Sequence, residues 1–418
     1  MATLAKRNRV VVTGLGVIAP NGIGHSAFWS TLLSGKSGIG PITLFDASDL
    51  GCNVAGEIRD FDPLKYIDRT FKPHRMARFT QFALVATQMA ITDAGMTVAQ
   101  LRRIRNLPLV LGVSTSAMDI LERHQEQVDK KGANAGIPYS TYAFMPHSAA
   151  VTISACLQLA SHPVTISTAC AAGAEAIVSA FSAIRSGRVD VAIAGGSDAP
   201  ITYTAFTSFA AAGLIAHRKQ DARKASRPFD MSRESGVISE GAGVVVLENL
   251  EHAIARGAKP YLELTGYGMN ADADPVNAPG AGLADTMVMA LGNAGVGIDE
   301  IDYICAHGPG HPVMDRVETD MIKQVFGRRA YVLPISSIKG VTGNPLAAAG
   351  PHQVITCALA FRNDLIPPTA NYENHDPDCD LDYVGGKARS VKLNRILINS
   401  HGLGGQNCSL VVQRVDQG

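Results

Sequence analysis

The chain runs through one pattern twice. Val10-Val11-Val12-Thr13-Gly14-Leu15-Gly16 opens it, and Leu262-Glu263-Leu264-Thr265-Gly266-Tyr267-Gly268 returns to a strand-like run closed by the same Thr-Gly-x-Gly turn. Later segments follow in matching order. Ile166-Ser167-Thr168, then Ala171-Ala172-Gly173 and an apolar helix pattern, is answered by Ile335-Ser336-Ser337, then Ala348-Ala349-Gly350 and an apolar helix pattern ending at Arg362-Asn363. Val191 to Ala194, closed by Gly195-Gly196, is answered by Ile396-Leu397-Ile398-Asn399 before another glycine-rich turn. Alternating strands and helices define an α/β fold, and their repetition predicts a duplicated βαβ unit with a pseudo-two-fold axis. The halves are expected to meet near Leu250, as 1–250 and 251–418, so a site at their junction would draw on both. Chance likeness of Ala/Gly-rich segments is the competing explanation.

Local patterns fill in this frame. A helical pattern runs through Phe82, Ala83, Val85 and Ala86 to Gly95, Leu107 to Val113 reads as a buried strand, and Met118 to Lys131 reads as a charged amphipathic helix. Ala172 to Arg185 is apolar nearly all round, which predicts a buried helix.

Bulk composition removes several function classes. Of 418 residues, 46% are hydrophobic and 18% charged, which argues against disorder. Lys+Arg and Asp+Glu both number 37, so no global field draws nucleic acid or a membrane surface. The seven cysteines are scattered without a Cys-x-x-Cys pair, which disfavours zinc or a redox motif and fits reduced thiols. Met1 to Arg9 is short and basic without the apolar stretch of a signal peptide, and no apolar run is long enough to span a bilayer. A soluble, cytoplasmic protein with no metal and no membrane association is expected.

Five motifs carry chemistry. In Thr168-Ala169-Cys170-Ala171-Ala172-Gly173 a strand feeds a sharp turn, with Cys170 where the buried helix begins. Free N–H groups and the dipole of a helix N-terminus are expected to lower a thiol pKa, and the small neighbours leave room for substrate. An inert buried cysteine is the alternative. The others are Ala306-His307-Gly308-Pro309-Gly310, the run Ser337 to Gly350 with Lys339 and Asn344, the terminal turn Asn399 to Asn407, and Arg227-Pro228-Phe229-Asp230 followed by Ser239-Glu240-Gly241.

In this order the five motifs resemble the β-ketoacyl-ACP synthases, the type II elongating ketosynthases of the thiolase superfamily, from Val10 to Asn407. The resemblance implies a duplicated five-layer α/β/α/β/α fold, the nucleophile in the first half and His, Asn and Lys in the second. It implies that Cys170 takes an acyl chain from the phosphopantetheine of an acyl carrier protein, and that an enolate from decarboxylated malonyl-carrier attacks the thioester. Cys170 and Leu403 would supply oxyanion-hole N–H groups, and His307 would assist decarboxylation. Lys339 would stand beside it, supported by Asp315 and Glu318. Glu240 matches the glutamate of a family turn in which Ser239 replaces glycine, and Phe229 a phenylalanine near the malonyl pocket. No cofactor is implied beyond that carrier-borne arm.

Departures cluster around one cavity. The family's second catalytic histidine is Asn344 here. Asparagine cannot shuttle protons near neutral pH, but its amide can donate to an enolate or thioester oxygen. Pantetheine-binding threonines become Pro309 and His311, phenylalanines of the last turn become His401 and Leu403, and the Pro275 to Gly282 loop is expected to be shorter. A relocated polar group, a supporting role and space-filling are all open for His401. Three functions follow: decarboxylative condensation in fatty-acid or polyketide biosynthesis, non-elongating acyl transfer, or a partner subunit shaping the cavity of another ketosynthase. Homodimer and heterodimer both remain open. Arg69, Lys72, Arg75 and Arg78 form a basic strip, either a solvated helix face or a dock for an acidic carrier protein.

Overall fold

The computed structural model of the chain describes residues 8–216, 221–275 and 279–416. In the first half β1 (Val10–Ala19), β2 (Leu107–Gly112), β3 (Ser161–Ile166), β4 (Val191–Asp198) and β5 (Gly241–Asn249) pair in the order β3-β2-β4-β5-β1. In the second, β6 (Leu262–Ala271), β7 (Tyr303–Cys305), β8 (Ile335–Ser336), β9 (Arg395–Gly402) and β10 (Gln406–Gln413) pair as β8-β7-β9-β10-β6. In both, the first two contacts are parallel and the last two antiparallel. The five strands of one half therefore repeat in the other. A short antiparallel ladder, Val10↔Leu264 to Val12↔Leu262, joins the halves edge to edge.

Helices complete the layers of a thiolase-like fold. On the outside, α1 (Arg78–Asp93) covers β1 and β5, and α3 (Leu283–Ala294) covers β6 and β10. Between the sheets lie α2 (Ala172–Arg185) and α5 (Ala349–Asn363), the two helices of the repeated pattern. No residue of α2 is exposed, as its all-round apolar sequence requires. The N-terminal ends of α2 and α5 press together: a Cβ on Gly173 would lie 2.1 Å from the Ala347 carbonyl oxygen. This contact sets the turn bearing Cys170 against the segment bearing Lys339 and Asn344.

Two boundaries differ from expectation. Gly195-Gly196 does not close β4, which runs on to Asp198 because both glycines pair with β5. The basic segment ahead of α1 forms two short 3-10 turns, Arg69–Phe71 and Pro73–Arg75, so it is not a helix face. Residues 276–278 of the loop expected to be short lie outside the described residues. Among the described residues no helix is long and apolar enough to cross a membrane.

Candidate active site

Cys170 sits on the tight turn between β3 and α2, where Ala169 adopts φ +49°, a left-handed conformation that a small side chain tolerates best. The thiol is buried. Contrary to the expectation from the helix terminus, burial pushes it up, opposed by the Lys339 charge, the Asn344 amide and the Leu403 N–H. Desolvation of the anion outweighs all three.

Asn344 Nδ2 stands 3.7 Å from Cys170 Sγ. Its backbone is clamped as in a strand, its N–H donating to Val237 O at 2.7 Å and its carbonyl accepting from Ser239 N at 3.0 Å. Asn344 Oδ1 is buried without a partner among the described residues.

His307 follows β7 and is buried. Its Nδ1 lies 3.0 Å from Lys339 Nζ and 3.2 Å from the His401 backbone N–H, two donors that leave Nδ1 unprotonated and put the hydrogen on Nε2. Burial, then the Lys339 charge, hold the imidazole well below its ordinary range, so it stays neutral. Lys339 also donates to the His307 carbonyl, and burial lowers it to about 8. Gly402, at the end of β9, packs against the other side of this junction, where a Cβ would lie 2.6 Å from Thr168 O and 3.4 Å from Cys170 N. One strand end thus spans Cys170 and His307.

Asp315 and Glu318, on α4 (Pro312–Phe326), favour the Lys339 ammonium through their charge and make their hydrogen bonds elsewhere. Glu318 accepts from His307 N at 2.9 Å, Gly308 N at 2.8 Å and Asn399 Nδ2 at 3.2 Å. Asp315 accepts from Phe229 N at 2.7 Å and Gly310 N at 3.1 Å, and burial pushes it up to about 7. Both carboxylates act on the backbone of the His307 loop, whose N–H groups would otherwise be orphaned. The Phe229 ring stacks on Tyr383 at 4.0 Å and lies directly beneath Gly308.

Glu240 bonds none of the four central groups; it accepts from Arg78 Nε at 2.7 Å, Arg78 Nη2 at 2.6 Å and Ile58 N at 2.8 Å. Arg78 is thereby tied up and largely buried, whereas Arg69, Lys72 and Arg75 are exposed, as are Leu64 and Phe71. The Leu403 side chain is 63% exposed, yet its N–H reaches the Cys170 sulfur. His401 is buried with its ring centroid 5.9 Å from that of His307.

Sequence reasoning missed Asp198. It accepts from Ser114 N, Thr115 N and Ala347 N at 2.9–3.1 Å, joining loops of both halves behind Cys170. A lone acid ending the apolar run Val191 to Ser197 was the available signal.

The sequence pattern of the β-ketoacyl synthase N-terminal domain matches residues 7–253, and that of the C-terminal domain matches residues 261–373. The chain belongs to the β-ketoacyl synthase family. This synthase is 39% identical over 417 residues to 3-oxoacyl-[acyl-carrier-protein] synthase 2 of Synechocystis sp., covering 99% of this chain and 100% of that one. The solved ishigamide ketosynthase/chain length factor superposes with a TM-score of 0.90 at 35% identity, over 98% of this chain and 100% of the other. A ketosynthase solved bound to a hexaketide, in complex with its type II polyketide acyl-carrier protein, gives 0.90 at 32% identity, with coverage of 98% and 100%. The synthase is an acyltransferase whose reaction is the ketosynthase condensation of fatty-acid or type II polyketide biosynthesis, in a family that uses substrates carried on acyl carrier protein.

Proposed function

We propose that Cys170, His307, Asn344 and Lys339 carry the condensation. Cys170 attacks an acyl thioester on the carrier's pantetheine arm, its proton leaving with the pantetheine thiol. Malonyl-carrier then loses CO2, and its electron pair moves into an enolate. The His307 Nε2–H and the Asn344 Nδ2–H donate to the enolate oxygen. The enolate carbon attacks the Cys170 thioester, whose oxygen is held by the Cys170 and Leu403 N–H groups, and the C–S bond breaks. The observation that carries this reading is the pairing of an Asn344 donor 3.7 Å from the sulfur with a His307 fixed as an Nε2–H donor. Neither donor needs to titrate for decarboxylation, which is why asparagine can stand in place of the family's second histidine.

The halves 1–250 and 251–418 divide the labour, the first supplying the nucleophile and the second the donors. Arg69, Lys72 and Arg75 form the dock for an acidic carrier protein, with Leu64 and Phe71 as apolar contacts. The outer edge of β3 is free for a second subunit, and a homodimer is the simplest assembly; the ketosynthase/chain length factor relative favours a heterodimer as the second reading. The location is cytoplasmic.

Intact-mass analysis with acyl-carrier protein, before and after adding malonyl-carrier protein, tests the reading. The expected result is a Cys170 acyl adduct that disappears as β-ketoacyl-carrier forms. An adduct released only as free acid or as a transferred acyl group would overturn condensation, and no adduct would leave a partner subunit.

A further inference from the structure

Condensation has a proton balance that the four residues above do not close. Each turnover releases CO2 and leaves Cys170 as a thiolate, and one proton must enter to restore the buried thiol. Asn344 cannot deliver it, and Lys339, the one charged donor of the four, is held by the ring and the carbonyl of His307. His307 is held neutral, with Nδ1 already occupied by two donors.

His401 is placed differently. Its Nδ1 lies 2.7 Å from Asn407 Oδ1, while Asn407 Nδ2 donates to Asp272 Oδ1 at 2.7 Å and Asn270 Oδ1 at 3.0 Å. Those acceptors fix the amide's orientation, so His401 Nδ1 carries the hydrogen and Nε2 keeps a lone pair. Among the described residues Nε2 has no hydrogen-bond partner, and the ring lines a small cavity with His307, Glu318, Leu283, Met314 and Val317. A malonyl carboxylate entering beside His307 presents only acceptors. A lone pair repels it, and the Asn407 bond bars the ring from exchanging tautomers. Protonation at Nε2 is the one change that turns His401 into a donor.

We propose that His401 takes up a proton together with the extender carboxylate and gives it up after CO2 has left, the Cys170 sulfur being the final acceptor. The inference rests on the condensation reading above. A solvent proton forms the Nε2–H bond; the malonyl C–C bond breaks, its electron pair going to the enolate; the new C–C bond forms as the C–S bond breaks; and the Nε2–H bond breaks as sulfur gains the proton. His307 and Lys339 face the ring and oppose its charge, whereas Asp272 favours it through Asn407. The Glu318 carboxylate is already engaged by the amides of His307 and Gly308 and by Asn399. Burial holds the free ring below its ordinary range, so its charge depends on the incoming carboxylate.

The test is the pH profile of kcat/KM for malonyl-carrier protein on the acyl-loaded full chain. With one proton bound alongside the substrate, the value should fall about tenfold from pH 6.5 to 7.5. His401→Gln, which keeps a polar group near Asn407 but cannot titrate, should be flat across that interval. Equal slopes in the two proteins overturn the proposal alone. A wild-type chain that decarboxylates no malonyl-carrier protein at any pH overturns the condensation reading and the proposal with it. Should the variant not fold, an indicator-dye burst on mixing acyl-loaded wild type with malonyl-carrier protein at pH 7.5, timed against CO2 release, decides: close to one proton taken up per site ahead of CO2 supports the proposal, and uptake only with or after CO2 overturns it.

Discussion

Lys339 Nζ stands 3.0 Å from His307 Nδ1, and the same ammonium is the foremost influence opposing the burial that pushes the Cys170 thiol up. One buried cation therefore does two things: it fixes the histidine as an Nε2–H donor, and it brings the nucleophile toward thiolate. Removing it should affect both. With Lys339→Met the thiol should be pushed further up and its thiolate fraction should fall. Iodoacetamide alkylation of Cys170 at pH 7.5 should slow severalfold. An unchanged rate would show that the Leu403 N–H and the Asn344 amide suffice.

Arg78 and Arg75 stand three residues apart and should behave as opposites. Glu240 is buried and Arg78 is its only charged hydrogen-bonding partner among the described residues, so Arg78→Ala leaves an unpaired carboxylate. The expected loss is about 3 kcal/mol of stability by chemical denaturation. Arg75→Glu should leave stability within about 0.5 kcal/mol, as for most surface changes, while raising KM for acyl-carrier protein several-fold, less so at high salt. A KM unaffected by Arg75→Glu would remove this strip as the dock.

What the sequence disclosed and what it hid differ in physical kind. The repeated strand order and the buried helix Ala172–Arg185 were legible because periodicity and burial are local properties of a segment. Cys170, His307, Lys339 and Asn344 were legible as motifs, and the contact between the helix ends draws them together. Partner choice was not legible. Arg78 read as one of four basic residues until Glu240, far along the chain, proved to bind it; Asp315 and Glu318 read as supports of a lysine, and the amides of the His307 loop that they also hold left no mark in the sequence. The direction of the Cys170 shift depends on how much protein surrounds the thiol, and no helix pattern reports that.

Asp315 gives the fold a pH dependence with a definite sign. Burial raises it to about 7 from the ordinary carboxylate range near 4. Between those values the native state keeps a proton that the unfolded chain has lost, so its contribution is complete at pH 4 and is lost as pH rises through 7. The slope is about 1.4 kcal/mol per pH unit for one proton. Buried His352, lowered to about 4, opposes it from pH 6.5 downward, so the comparison must be between proteins. Asp315→Asn should differ from wild type by one proton's slope between pH 4.5 and 6.5 in urea titrations. Parallel curves would mean that Asp315 is ionised throughout.

Asn344 decides how far this synthase departs from its relatives. If the amide acts only as a donor to the enolate oxygen, Asn344→Ala removes one of two donors and should lower malonyl decarboxylation by about 10²-fold, the usual effect of losing an oxyanion-type donor. Acylation of Cys170 should fall much less, because the Cys170 and Leu403 N–H groups hold the oxyanion of that step. Asn344→His restores a ring donor and should keep or raise decarboxylation, provided Asn344 Oδ1, buried without a partner among the described residues, is not a contact the substrate needs. The measurement is CO2 release from malonyl-carrier protein alongside the intact-mass loading assay. A complete loss in Asn344→His, with loading intact, would show that both ends of the amide are used, Oδ1 accepting from the substrate while Nδ2 donates.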